Sequence, residues 1–122
     1  MAQLSDFAWI DELQNRLFNG GYLSAKKMTE EGHSLMVDAS HSGYISYVVQ
    51  ADGVGYIDYL AVHPSHRHRG LGRALLRGAL LKLSECEVVR LTTDQGNNAA
   101  LHLFESEGFV DQVRLIGTYF RA

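Results

Sequence analysis

The chain has 122 residues, 46% hydrophobic and 20% charged, with a formal charge of −3 at pH 7; this length suits one domain with a two- or three-layer core and leaves no room for a second. Its apolar runs fall far short of the roughly 18 residues a membrane span requires, and its net acidity argues against a general nucleic-acid binder. The single Cys86 cannot form an intramolecular disulfide, and Met1 to Asp6 lacks the basic-then-apolar pattern of a secretory signal, so a reducing cytoplasm is the expected location.

From Ser5 to Phe18 the apolar residues Phe7, Ile10, Leu13 and Leu17, with Phe18, predict an amphipathic helix capped by Ser5 or Asp6. Asn19-Gly20-Gly21 ends it, and Ser24 is placed to cap a shorter helix that closes before Gly32. Three β-like runs follow, at 34–39, 44–50 and 54–62. The turn-like His41-Ser42-Gly43 and Ala51-Asp52-Gly53 between them predict an antiparallel meander, Asp-Gly being a strong hairpin signal. Leu71, Ala74, Leu75, Ala79 and Leu83 then give helical spacing, with Gly78 a tolerated weak point. Val88 to Thr93 reads as a short buried strand, Asn97 to Glu107 as a helix stopped by Gly108, and Val113 to Phe120 as a last strand. This order (α, α, β, β, β, α, β, α, β) predicts a mixed α/β sheet.

Between the third strand and the third helix lies Arg67-His68-Arg69-Gly70-Leu71-Gly72-Arg73, and four of the eight arginines, Arg67, Arg69, Arg73 and Arg77, fall in or just after it. Glycines at 70 and 72 let backbone N–H groups converge on an oxyanion, and the helix that follows adds its unsatisfied first-turn donors and positive dipole end. The pattern suits a pyrophosphate. It lacks the Gly-Lys-Ser/Thr ending of a nucleoside triphosphate loop and is not Gly-x-Gly-x-x-Gly, position 75 being Leu. His63-x-x-His66-x-His68 has no cysteine or carboxylate at close zinc spacing, so loop histidines near phosphate are expected rather than a metal. Cys86 has no base beside it in sequence and reads as a small apolar filler.

Arg67-x-x-Gly70-x-Gly72 resembles the acyl-CoA-binding signature of the GNAT superfamily of N-acyltransferases, and Asn97-x-x-Ala100-x-x-Leu103-Phe104-x-x-x-Gly108-Phe109 resembles its second motif. The two occur in the family's order, and the likeness covers Leu35 to Phe120. It implies a mixed, mostly antiparallel sheet with helices on both faces, in which the strand before the glycine loop is bulged and splays from its parallel neighbour. The pantetheine arm of acetyl-CoA would lie in that V. Main-chain groups of Leu60, Ala61 and Val62 would pair with the pantetheine amides. Arg67, His68, Arg69, Gly70, Leu71, Gly72 and Arg73 would hold the pyrophosphate, and Asn97 would reach the cofactor arm; Asn97 could equally be a plain helix N-cap.

The chain departs from the family at the acid and base. The tyrosine that in many members protonates the departing thiolate is Phe104 here, and a glutamate that serves some members as base falls at Thr92. A thiol with a pKa of about 8.5 leaves adequately without a donor, whereas deprotonating an alkylammonium of pKa about 10.4 at pH 7 costs about 4–5 kcal/mol. Asp58, Tyr56, Tyr59 and Tyr119 are the candidates for the missing roles, with Asp58 favoured as base and Tyr119 as substitute acid. Family members commonly carry a strand before the first helix and another after the last one read here, so a homodimer covering an open sheet edge is expected. The leading expectation is an acetyl-CoA-dependent transferase acting on a primary amine by direct attack in a ternary complex. A catalytically silent acyl-CoA-binding module and a polyanion-binding interaction protein are its alternatives.

Overall fold

The computed structural model describes residues 1–17, 24–66, 70–92, 98–113 and 118–121. Among them the chain forms α1 (Phe7–Leu17), α2 (Ala25–Glu30), β1 (Ser34–Val37), β2 (Gly43–Val49), β3 (Gly55–Val62), α3 (Leu71–Lys82), β4 (Val89–Thr92), α4 (Asn98–Ser106), β5 (Phe109–Val113) and β6 (Thr118–Arg121). The local signals act as expected. Ser24 caps α2, its Oγ accepting the Lys27 N–H at 3.2 Å. At the β2–β3 hairpin Gly53 takes φ +84°, and Gln50 and Val54 close the turn at 2.9 Å. In the β1–β2 turn the Asp38 carboxylate accepts the N–H groups of Ser40, Ser42 and Gly43 at 3.0, 2.7 and 2.6 Å. Gly43 is squeezed under the end of β3, where an added Cβ would lie 3.0 Å from the Ala61 carbonyl oxygen.

The strands form one sheet in the order β1-β2-β3-β4-β6-β5. Only β3 and β4 are parallel; every other neighbouring pair is antiparallel. One expectation is corrected here: of the single terminal strand read over Val113 to Phe120, Val113 closes β5 and Thr118 to Phe120 lie in β6, while 114–117 fall outside the described residues. Phe109, directly after the Gly108 helix stop, is 3% exposed and starts β5, while β6 returns antiparallel between β5 and β4. Among the described residues α4 is thus followed by two strands rather than the one read from the sequence. At the other edge, the Ala2 N–H donates to the Leu35 carbonyl at 2.8 Å, so the N-terminal residues lie against β1.

Each face of the sheet carries its own apolar cluster. On one, Ile45, Tyr47, Ile57 and Leu91 pack with Leu75, Leu76, Ala79 and Leu80 of α3 and Phe104 of α4, and Met36 and Leu60 join them. On the other, Leu35, Tyr44 and Ala61 pack with Ile10 and Leu13 of α1 and Ala25 and Met28 of α2, and Tyr59 and Val37 join them. Fully burying each such aliphatic side chain contributes about 1.5–3 kcal/mol. Gly78 lets α3 approach β1, since a Cβ there would lie 2.7 Å from Met36 Sδ. In a regular strand residues of one face alternate with period two. Ile57 and Leu60 share the α3 face although three apart, so β3 changes phase between them.

Candidate active site

β3 departs from regular pairing at one place. Toward β4 the parallel ladder runs Gly55–Val89, Tyr56–Arg90 and Ile57–Leu91 among the described residues, and the described part of β4 ends at Thr92. Toward β2 the register steps from Tyr47–Ile57 to Ser46–Tyr59, leaving Asp58 as the extra residue of a β-bulge. The expected bulge is present at Asp58, while the stretch of chain where a splay from β4 would lie, 93–97, falls outside the described residues. The phase change that puts Ile57 and Leu60 on one face puts Tyr59 and Ala61 on the other.

Asp58 has a partner that the sequence did not disclose. His33 follows α2, its N–H bonded to the Met28 carbonyl at 2.9 Å. Its Nδ1 lies 3.5 Å from Ser46 Oγ on β2 and in close contact with Asp58 Oδ2 on β3. The two side chains keep 15% and 14% exposure. Burial raises the Asp58 carboxyl above the usual carboxylate range, and the charge and hydrogen bond of His33 offset only part of that rise. A partly buried carboxyl at a strand bulge, joined to an imidazole, can exchange a proton.

The start of α3 supplies the second half of the site. Gly70 is the N-cap in the left-handed region at φ +79°, and no side chain caps the helix. Among the described residues a Cβ at Gly72 would meet Leu103 Cδ2 at 3.6 Å and Val62 Cγ2 at 3.7 Å, both ordinary contacts. Leu71 packs against the α3-side core. Arg67, His68 and Arg69 lie outside the described residues. Arg73 Nη1 donates to Ser106 Oγ at 2.9 Å and Glu107 Oε1 at 3.2 Å, and Arg77 Nε donates to the same oxygen at 2.5 Å. Burial alone would raise the Glu107 carboxyl, but the hydrogen bonds and charges of Arg77 and Arg73 hold it below its ordinary value. Here Arg73 ties α3 to the end of α4.

Beyond β3, the His63 N–H donates to the Ser42 carbonyl at 2.7 Å, and its Nε2 lies 3.3 Å from Arg16 Nη1. Ser65 Oγ sits between Nδ1 of His63 (2.7 Å) and Nδ1 of His66 (2.9 Å). Among the described residues no group of three or more His, Cys, Asp or Glu is arranged to hold a metal.

For the remaining candidates, Leu60 and Ala61 pair toward β2 with Ile45 and Tyr44, and Val62 with Gly43. All three lie beyond the last β3–β4 pair among the described residues. Phe104 is 6% exposed and meets Phe109 edge to face at 6.2 Å, an apolar wedge with no proton to give. Tyr119 is placed by its main chain alone, opposite Leu91, which is opposite Ile57. It therefore stands in the row of the Ile57–Leu91 pair, two strand spacings or about 10 Å from β3. Thr92 pairs through its main chain with Thr118, and Asn97 lies outside the described residues. Tyr56 is opposite Arg90, and Tyr59 packs toward α1 and α2. Cys86 packs against the core, 3.3 Å from where a Gly55 Cβ would be. Sequence reasoning missed His33 and Glu107. A lone histidine before a strand and a glutamate ending a helix carry no spacing signature; each gains its partner only across the fold.

A model of the acetyltransferase (GNAT) family matches residues 4–109. N-alpha-acetyltransferase 30 of Xenopus laevis is 40% identical over 67 residues, 53% of this chain and 24% of that protein. L-amino acid N-acyltransferase MnaT of Escherichia coli is 40% identical over 63 residues, 48% of this chain and 37% of that protein. The chain thus spans less than two fifths of either relative's length. Among solved structures, PaiA N-acetyltransferase from Thermoplasma acidophilum in complex with coenzyme A shares the fold at a TM-score of 0.78, with 15% identity over 98% of this chain and 94% of that one. Arabidopsis thaliana Naa50 in complex with the bisubstrate analogue CoA-Ac-MVNAL does so at 0.77, with 18% identity over 98% and 92%. Two glycines at the head of α3, a β3 that bulges at Asp58, and a family match over most of the sequence agree: the chain belongs to the acetyltransferase (GNAT) family.

Proposed function

We propose that the chain transfers the acetyl group of acetyl-CoA to a primary amine. The observation that carries this reading is the β-bulge at Asp58 in β3, upstream of the glycine-headed α3. The residues present fit acetyl-CoA: the bulge breaks the regular pairing of β3, and α3 starts at a left-handed Gly70 with no side-chain cap, so no capping side chain takes up its first-turn N–H groups. When bound, acetyl-CoA supplies a thioester carbonyl as electrophile. Main-chain groups of Leu60, Ala61 and Val62 hold the pantetheine amides, and a backbone N–H near Val62 polarises the carbonyl. The 67–73 loop holds the pyrophosphate, and Asn97 reaches the cofactor arm. Asp58, directly or through water, takes the proton of the attacking ammonium, and Tyr119 gives one to the departing thiolate.

The relatives named for N-alpha-acetyl transfer, and the peptide-bearing analogue on Naa50, support a peptide α-amine as the acceptor. Chemistry agrees. Freeing an α-amine of pKa about 7.8 at pH 7 costs about 1 kcal/mol, against about 4–5 kcal/mol for a lysine side chain, so a modest base suffices. MnaT supports a free amino acid as the second acceptor to test.

The test is thermal unfolding with acetyl-CoA, followed by thiol release with peptides and amino acids. A hundredfold excess over Kd stabilises by about 2.7 kcal/mol. Gly72→Ala should keep this effect, whereas Gly72→Glu should abolish it through bulk and negative charge. An unchanged Tm in folded, cofactor-free protein rejects the reading. Phe104, buried where a proton donor would stand, favours one rival: a module that binds acyl-CoA without turning it over. Binding without amine-dependent thiol release would establish that rival.

A reducing cytoplasm, suggested by the lone Cys86, and a homodimer complete the proposal. β1 and β5 are the sheet edges, and since Ala2 already bonds to β1, β5 is the edge for a partner. A contact of about 1,200 Å² or more is expected, and a monomer by light scattering at micromolar concentration refutes it.

A further inference from the structure

The geometry points to His33 and Asp58 acting as one base, with His33 a positioning residue and proton relay that works through Asp58. The inference rests on the transferase reading and names the part of the site that makes a carboxylate adequate for the task.

Asp58 is the bulge residue of β3 opposite β2, directly after the Ile57–Leu91 pair with β4. Without the bulge, the alternation of β3 would not send both Asp58 and Tyr59 to the α1–α2 side, where His33 waits. His33 reaches that side from the end of α2, past Ser46, which is fully buried. Among the other groups near the pair, Tyr56 and Tyr59 flank Asp58 on β3. The Asp11 carboxylate of α1 is turned to the Ala25 N–H at 2.7 Å, and Lys27 and Glu31 of α2 face solvent as a loose pair at 4.0 Å. His33 is thus the cation-forming group that touches Asp58.

A carboxylate alone holds a proton weakly, at a pKa of about 3.9, whereas an imidazole holds one at about 6.5. In the pair, the ammonium N–H bond breaks as its electron pair turns to the thioester carbonyl. The proton bonds to the Asp58 carboxylate, then passes from Oδ2 to Nδ1 of His33. Carboxylate and imidazolium remain, and the ring, with its residual exposure, releases the proton to solvent. The pair therefore passes the proton on only when Nδ1 of His33 is free to receive it.

The test uses the full chain and thiol release with a peptide α-amine between pH 5 and 9, about the span of these ionisations. His33→Gln, close in size and able to hydrogen-bond, should lower kcat/KM about 10²-fold at pH 7. It should also move the acid limb of the pH profile down by about one unit or more. Asp58→Asn should lower kcat/KM at least as much, and the double variant no further than Asp58→Asn alone. A His33→Gln limb left at the wild-type pH, or effects that multiply in the double variant, overturns the relay while leaving the transferase reading standing. No thiol release by wild-type protein with any amine overturns both.

Discussion

Arg77 Nε lies 2.5 Å from Glu107 Oε1, an ion pair that joins the middle of α3 to the residue after α4, and Arg73 shares that oxygen at 3.2 Å. Arg73 ties the helices, whereas the proposed cofactor site would have it serve the pyrophosphate. If it turns to the cofactor, Arg73→Ala should raise the Kd of acetyl-CoA about tenfold or more, as expected for a charge-assisted hydrogen bond of about 1.5–3 kcal/mol. Glu107→Gln, which releases Arg73, should leave affinity equal or tighter. Calorimetric titration at fixed salt reads both. An unchanged Kd in Arg73→Ala makes the residue a helix tie alone.

Asp58 should show opposite effects on stability and activity. Its folded-state pKa is raised by burial, so the folded protein holds this proton more tightly than the unfolded chain. The associated stability is full below the ordinary carboxylate pKa and is lost as pH rises through the raised value. At pH 8 the ionised carboxyl is thus a cost. Asp58→Asn should raise stability by about 1 kcal/mol, about 4 °C in Tm, while lowering kcat/KM about 10²-fold or more and most strongly at low pH. A Tm that falls by several degrees would show that the contact with His33 stabilises the fold.

Tyr119 shares its row with Leu91 and Ile57, and Phe104 is an apolar wedge. Tyr119→Phe should lower kcat about 10²-fold if its phenol protonates the thiolate, at the lower end of general-acid effects. The loss should be smaller with an acyl donor whose thiol is more acidic, because a better leaving group needs no donor. Equal kcat values for wild type and variant with both donors would remove Tyr119 from the mechanism.

Acid should loosen the turn that supports the end of β3. Burial pushes the Asp38 carboxyl up, but the hydroxyl of Ser40 and the N–H groups of Ser42, Gly43 and Ser40 outweigh it and hold the pKa below its usual value. Asp6 is also lowered, chiefly by the Gln3 N–H and the Trp9 indole. The folded state then binds these protons less tightly than the unfolded chain, so the stabilisation is present above the ordinary carboxylate range and lost as pH falls through the lowered values. Urea unfolding at a series of pH values should show stability falling below about pH 4. Asp38→Asn should lower stability at pH 7 by about 1–3 kcal/mol and flatten that fall. An unaltered slope would remove Asp38 as a source of it.

Local chemistry was legible in the sequence. Ser24, Asp52-Gly53, Gly70 and Gly108 act through their own backbone or a neighbour a few residues away, and the apolar spacing that drew α1, α3 and the meander depends only on period. The same locality revealed the glycine loop and the family. The sequence could announce that β3 would bulge, but only the tertiary structure put the bulge at Asp58, because the register is decided jointly by which side chains of β2 and β3 reach each core. Packing likewise decided that a strand, β5, starts directly after Gly108, since Phe109 is buried in the core and β5 pairs with β6, a pairing no local spacing announces. The His33–Asp58 contact and the shared Glu107 were beyond sequence reading for the same reason: 25 or more residues separate the partners, and nothing in either residue's neighbourhood encodes the distance that folding closes.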